Sequence, residues 1–293
     1  MTEVRHDRSN LVGSLWMVFA MAAFAIEDAF VKGAAAILPI GEVLVLFGAG
    51  GMLVFAGIAL ATGQPLYNAD VFSRMMRIRA CFEVTGRLFY VLALALTPLS
   101  TTTAILQATP IVVVLAAAIL FGETIGLRRW IAILAGFVGV LIIMRPAGDG
   151  FSALSFLAVI GMLGFAGRDL ASRAAPRSIA TSVLGVYGFA AIVLAGLLYS
   201  ILWERDAYVL PDPATSAMIA LAVVAGVIAY TALMKAMRTG AVSVVTPFRY
   251  TRILFGIALG VLFFGEQIDG AMLIGSGIIV AAGIVILMPA RIR

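Results

Sequence analysis

Apolar residues along this chain do not alternate with polar ones. They come in long runs separated by short polar, Gly- or Pro-containing connections. A helix rises about 1.5 Å per residue, so about 20 apolar residues cross a hydrocarbon core of about 30 Å. Cutting at the connections predicts ten such helices, near residues 11–31, 41–62, 76–97, 99–121, 128–145, 152–172, 180–203, 214–237, 241–264 and 270–289. The third and fourth are joined only by Thr97-Pro98-Leu99-Ser100, which predicts a tight helical hairpin. The expected fold is an all-α integral membrane protein.

Composition agrees. Of 293 residues, 63% are hydrophobic and 12% charged, with a mean hydropathy of +1.12. Soluble domains carry roughly a quarter of their residues as charges. The net charge of +5 does not point to nucleic acid, because the basic residues are spread through the connections. They orient the chain instead. Arg5, Arg8, Arg74, Arg77, Arg79, Arg128, Arg129, Arg173, Arg177, Lys235, Arg238, Arg291 and Arg293 fall on the side of the N-terminus, and Lys32, Arg145 and Arg205 on the other. Such a bias places both termini in the cytoplasm, as tails 1–10 and 290–293 of a multi-pass protein of the cell inner membrane. Trp16, Trp130 and Trp203 sit near span ends, as an aromatic belt requires. His6 and Cys81 are each the sole residue of their type, which excludes an intramolecular disulfide and a Cys/His metal site; no metal or cofactor is expected. Ala20-Met21-Ala22 mimics a signal-peptidase site, but the apolar run continues past it.

The chain repeats itself. Met21, Phe24, Ala25, Asp28, Lys32 and Ala34 recur as Met162, Phe165, Ala166, Asp169, Arg173 and Ala175, 141 positions on. With a shift of 143, Phe121-Gly122-Glu123 recurs as Phe264-Gly265-Glu266, Ser100 as Ser243, and Ile143 and Pro146 as Ile286 and Pro289. Each repeat, 11–146 and 152–289, holds five spans. An odd number inverts the second copy, giving two inverted five-helix repeats (5+5). Inverted repeats characterise alternating-access transporters, with substrate held where the halves meet near mid-membrane. The rival reading is a duplication kept for packing alone.

On these residues the chain resembles the drug/metabolite transporter superfamily, in its EamA branch. Pro110 followed by Phe121-Gly122-Glu123 is similar to the proline-then-glycine-glutamate pattern of that branch's fourth helix. The second half departs from it: Pro247 stands six residues further from Glu266, and Arg252 replaces the counterpart of Thr109. The resemblance, which covers essentially the whole chain, implies a carrier of small metabolites such as amino acids, nucleosides, riboflavin or S-adenosylmethionine.

Ionisable side chains inside spans cost several kcal/mol unless paired or hydrated, so they face a bundle interior or an aqueous cavity. Asp28 and Lys32, Glu83 and Arg87, and Asp169 and Arg173 are each four residues apart, one helical turn. Asp28 and Lys32 fall towards the outer mouth, Asp169 and Arg173 towards the inner. They are read as symmetry-related gate elements, or as helix-end pairs whose cations snorkel to the interface. Glu27 and its counterpart Arg168 differ between halves, as do Glu83 and Gly226, and such asymmetry is where a substrate site would be written. Arg249 and Arg252 are the first candidates for binding an anionic group, beside Thr246-Pro247, where the proline removes a backbone hydrogen bond and is expected to loosen the helix locally. Neutralisation by Glu83 or Glu27 is the alternative. Tyr90, Tyr187, Tyr230, Tyr250 and Gln107 supply polar or aromatic contacts within spans, or ordinary packing. Glu83, Arg87 and Arg168 complete the substrate-binding set.

No nucleotide-binding motif occurs, so ATP hydrolysis by this chain is excluded; the alternatives are a membrane-embedded enzyme, which would need a nucleophile, metal site or acid pair, and a channel, which would need a ring of like charges or a filter-like loop. The expected function is a secondary transporter of a small polar or zwitterionic metabolite. Its partners are that substrate and the lipid bilayer, without nucleic acid, and both repeats in one chain suffice for a monomer.

Overall fold

In hydrocarbon every backbone N–H and C=O must find a partner within the protein, which is why the apolar runs become helix. The computed structural model describes residues 2–67, 69–121, 126–144, 152–173, 179–239 and 245–287, and its regular structure among these is helical. The α-helices are α1 (Thr2–Ala35), α2 (Ile40–Ala61), α3 (Arg74–Leu96), α4 (Leu99–Leu106), α5 (Thr109–Phe121) and α6 (Leu127–Met144). They continue as α7 (Ser155–Arg173), α8 (Thr181–Tyr199), α9 (Pro213–Thr239), α10 (Thr251–Phe264) and α11 (Gly270–Leu287).

Four of these, α1, α2, α8 with its extension to Glu204, and α9, contain stretches long and apolar enough to cross a membrane. Helices α3 and α7 occupy the third and sixth expected spans but interrupt their apolar character with Arg79, Glu83 and Arg87, and with Arg168 and Asp169. Arg79, assigned from the sequence to a connection, lies within α3 and is buried.

The fourth expected span is not one helix. It breaks at Gln107-Ala108, between α4 and α5. Pro110 has no N–H to offer the carbonyl of Leu106, and its ring would collide with that oxygen in a continuous helix. The Thr109 hydroxyl donates to the Leu106 carbonyl in its place. Gln107 and Ala108 bond three residues back, to Ala104 (3.2 Å) and Ile105 (3.0 Å), the tighter 3₁₀ pattern. The ninth span departs at the equivalent point. Thr246–Tyr250, with Pro247 in its first turn, is 3₁₀-helical, and α-helix starts only at Thr251. Gln107 and Tyr250 are 143 positions apart, so the two breaks correspond under the repeat.

The chain divides into two compact units. One comprises Met1–Ala25, Pro98–Ser155 and Ala229–Arg293; the other comprises Ile26–Thr97 and Phe156–Ile228. Neither is a sequence repeat: each draws on both halves. In the second unit α2 lies against α8, the corresponding helix of the other repeat, and the Phe189 ring sits between Phe47 (5.3 Å) and Phe55 (5.6 Å). Also there, α3 and α7 touch backbone to backbone. A Cβ on Gly164 would come within 2.4 Å of the Gly86 Cα. In the first unit α6 and α11, again counterparts, meet at Gly139 and Gly275, and α4 lies on α10. Its apolar centre joins Met17, Ala20 and Met21 of α1 to Ala232, Ala236 and Val245.

Glutamates fasten helix starts within each unit. Glu266 accepts hydrogen bonds from the backbone N–H of Leu99 and of Ser100 (3.0 Å) and from the Ser100 hydroxyl. Glu204 accepts from the N–H of Ile40 (2.6 Å) and Gly41 (2.8 Å). Each carboxylate satisfies orphan donors at a helix N-terminus and complements its dipole. Gly122 and Glu123, the first copy of the motif containing Glu266, lie outside the described residues, as do Ala175, Ser243, Pro146 and Pro289.

Candidate functional site

The polar side chains singled out from the sequence gather in two places, one in each unit. In the second unit they form a chain of alternating charge on α1, α3 and α7. Arg87 donates to Glu27 at 2.7 Å. Glu83 lies between two cations, Arg79 (3.3 Å) and Arg168 (3.3 Å), and Arg168 also grips Asp169 through Nε (3.1 Å) and Nη2 (2.9 Å). The Tyr90 hydroxyl donates to Asp28 at 2.8 Å. Burial is uneven across these groups: the side chain of Glu27 is 1% exposed, those of Glu83 and Arg79 6% and 8%, Arg87 12%, Arg168 21% and Asp169 26%. The network is therefore closed at Glu27 and most open at Asp169.

Aromatic rings set the guanidinium positions. Arg87 lies 5.6 Å from the centroid of Phe47 and 5.8 Å from that of Phe165. Arg168 stands over Phe165 at 4.7 Å, and Tyr90 meets the same ring edge-on at 5.6 Å. Cation–π attraction strengthens where water is excluded, so these rings fix the planes of both arginines.

Sequence spacing did not give these partners. Glu83 pairs one turn back with Arg79, not one turn forward with Arg87, because Arg87 is drawn across to Glu27 on α1. Lys32 extends to the C-terminal end of α3, donating to the carbonyls of Leu94 (2.7 Å) and Thr97 (2.6 Å). A cation there satisfies acceptors that the helix end leaves open. Arg173 ends α7, and its side chain lies outside those described. Arg79 was missed as a site residue, although its position one turn before Glu83 was the available signal. Phe47 and Phe165 carried no polar signal at all.

Gly226 of α9 has a specific place in this network. A Cβ there would lie 3.1 Å from Glu27 Oε2 and 3.1 Å from the Phe47 ring. Under the repeat Gly226 corresponds to Glu83 and Glu27 to Arg168. The Glu83–Arg168 ion pair thus has as its counterpart the contact of Gly226 with Glu27. Gly226→Ala is expected to shift both Glu27 and the Phe47 ring beside Arg87, lowering the thermal denaturation midpoint by a few degrees while leaving the protein folded, as overpacking of about 1 kcal/mol would.

The first unit holds Gln107, Arg249, Tyr250 and Arg252. Gln107 Nε2 donates to the main-chain carbonyl of Arg249 at 2.6 Å, tying the two helix breaks together. Tyr250 is buried against the bare Cα of Gly283, and its hydroxyl has no hydrogen-bond partner among the described residues. The Arg252 guanidinium stands over Phe24 at 5.0 Å. Tyr230 lies on α9, half-buried. Tyr187, of the second unit, donates to the carbonyl of Leu66 at 3.1 Å. Among the described residues no cluster of His, Cys, Asp and Glu is suited to a metal ion.

Apolar helices around a buried, mixed-sign polar network, with paired helix breaks, define a multi-pass membrane transporter. The chain belongs to the EamA-like transporter family, whose model matches residues 11–145 and again 153–288. It is similar to a riboflavin transporter of Rhizobium johnstonii, 26% identical over 94% of this chain and 91% of that one. A pseudopaline exporter of Pseudomonas aeruginosa is 27% identical over 92% of this chain and 94% of its own. An S-adenosylmethionine uptake transporter of Rickettsia bellii is 24% identical over 72% and 71%. A solved crystal structure, 19% identical, shares the fold with a TM-score of 0.62 over 95% of this chain and 97% of the other. The protein is a small-metabolite transporter, not an enzyme.

Proposed function

We propose that the chain is a secondary carrier working by alternating access, and that its substrate is a small polar or zwitterionic metabolite bound at the Glu27–Arg87–Glu83–Arg168 network. The observation that carries this reading is the network itself. Seven ionisable side chains of both signs line three helices of one unit, at a cost in the membrane that packing alone does not require. Such a network meets a polar ligand with donors and acceptors already in place. Relatives named for riboflavin and S-adenosylmethionine support a metabolite of this size.

The two matches to the family model, the corresponding helix breaks and the counterpart pairs α2 with α8 and α6 with α11 support two inverted five-helix repeats, 11–146 and 152–289. The breaks at Gln107 and Tyr250, with Arg249 and Arg252 beside the second, act as hinges in this scheme. Asp28 and Lys32, bonded to opposite ends of one stretch of α3, act as one gate element, and Asp169 and Arg173 as its counterpart. The carrier acts as a monomer in the inner membrane with both termini cytoplasmic, an orientation supported by the distribution of Lys and Arg.

Flux into proteoliposomes of radiolabelled S-adenosylmethionine, amino acids and riboflavin tests the reading. Saturable uptake, accelerated by the same unlabelled compound on the opposite side, is expected. Flux that rises linearly with concentration would show a channel and overturn it.

A further inference from the structure

We infer that the groove between α3 and α7 binds an anionic phospholipid, with one acyl chain along the groove and the phosphate at Arg74 and Arg77. The groove, of about 310 Å³, is lined by Ile78, Cys81, Phe82 and Thr85 of α3 and by Ile160 and Leu163 of α7. Gly164 also lines it and contributes no side chain to fill it. The Thr85 hydroxyl donates to the Cys81 carbonyl at 3.0 Å, so even this side chain uses its polar atom on its own helix. What remains is a hydrocarbon-lined channel that is open along one side.

This groove is separate from the charged network. Arg74, Ile78, Cys81 and Thr85 follow one another at spacings of four, three and four, which is one stripe of a helix. Arg79, Glu83 and Arg87 form the opposite stripe, turned inward, whereas Cys81, Phe82 and Thr85 are exposed. Charge and length then select the occupant. Arg74 and Arg77 are exposed, neither forms an ion pair among the described residues, and the first turn of α3 has no acidic residue. A phosphate suits two such guanidinium groups. Thr85 lies eleven residues beyond Arg74, about 16 Å of helix, or half of a hydrocarbon core of about 30 Å. A chain anchored at Arg74 therefore reaches the far end of the groove within its own leaflet, the inner one in the orientation proposed above. A second copy fits less well. A two-fold axis along the membrane normal would set Arg74 and Arg77 against their own counterparts at one depth.

The test uses the full chain, freed of lipid in detergent, with phosphatidylglycerol and phosphatidylcholine of identical acyl chains as probes. Cys81, the sole cysteine, is exposed on the groove and reports its occupancy through its rate of reaction with a maleimide. Phosphatidylglycerol is expected to slow that reaction and to stay bound in native mass spectrometry, and phosphatidylcholine at the same mole fraction to do neither. Arg74→Gln/Arg77→Gln is expected to bind phosphatidylglycerol at least about tenfold more weakly, as the loss of two basic residues beside an anionic headgroup implies. An unchanged denaturation midpoint without lipid shows that this variant is folded. Leu163→Trp, which narrows the groove and keeps both arginines, is expected to lose retention as well. Glycerol phosphate, the anion without the chain, is expected to leave Cys81 reactive. Equal retention of the two lipids, or of phosphatidylglycerol by wild type and the arginine variant, would overturn the inference and reduce the groove to unselective lipid contact. So would a Cys81 shielded without lipid in a dimer, which would give this face to a second copy.

Discussion

Glu83→Gln lowers the stability of the purified protein by about 3 kcal/mol, the cost of removing one partner from a buried ion pair. The reason lies in its position between Arg79 and Arg168, 3.3 Å from each, on a side chain 6% exposed. The amide keeps the shape and one acceptor but removes the charge that two guanidinium groups share. Asp169→Asn is expected to cost much less, since its side chain is 26% exposed and water can replace the lost charge. Thermal denaturation in one detergent, followed for wild type, Glu83→Gln and Glu83→Gln/Arg168→Gln, checks the assignment. The double variant should recover part of the loss, because one stranded cation leaves with Arg168. A Glu83→Gln protein as stable as wild type would mean that the two arginines are neutralised elsewhere.

Gly164→Ala is expected to destabilise the protein by about 1–3 kcal/mol, the usual cost of overpacking, and to reduce transport. The added methyl would lie 2.4 Å from the Cα of Gly86 and 2.5 Å from its nitrogen. Those are backbone atoms, and no side chain can turn aside to make room. Helix α7 must therefore move off α3, and Arg168, one turn further along α7, moves off Glu83. The control is Gly57→Ala on α2, where a methyl meets nothing within 4 Å. That change should leave flux unaltered and slightly strengthen the helix. Initial uptake rates at equal protein density distinguish the two.

The membrane class and the repeat were legible because both depend on long stretches: apolar runs of helical length and matches at fixed shifts. The helix break at Pro247 was also anticipated as a local loosening. That at Pro110 was not, because span 4 reads as uninterrupted apolar sequence and only the proline marks the lost hydrogen bond. Ion-pair partners were less legible. A spacing of four residues identifies neighbours on one helix, whereas Arg87 is held from α1 and Glu83 from α7. Such pairings depend on which helices meet, and that is decided by glycines such as Gly86 and Gly164, whose chemistry is silent in a hydrophobicity pattern. Arg79 was hidden for another reason. Arginine at the start of a span looks like a membrane-surface anchor until a carboxylate one turn away is seen to hold it inside.

The interleaving of the two units fixes an order of biogenesis. The unit formed by Ile26–Thr97 and Phe156–Ile228 has all its parts once the ribosome has passed Ile228. The other draws on Met1–Ala25, which precedes every part of that unit, yet needs Ala229–Arg293, which follows it. Domains generally assemble as soon as their parts are available during synthesis. The unit carrying the charged network therefore closes first, while α1 leaves the membrane insertion machinery with its leading half still unpartnered. A chain terminated shortly after Ile228 would keep the network but leave Met17, Ala20 and Met21 without the Ala232, Ala236 and Val245 surface they pack on, marking it for proteolysis.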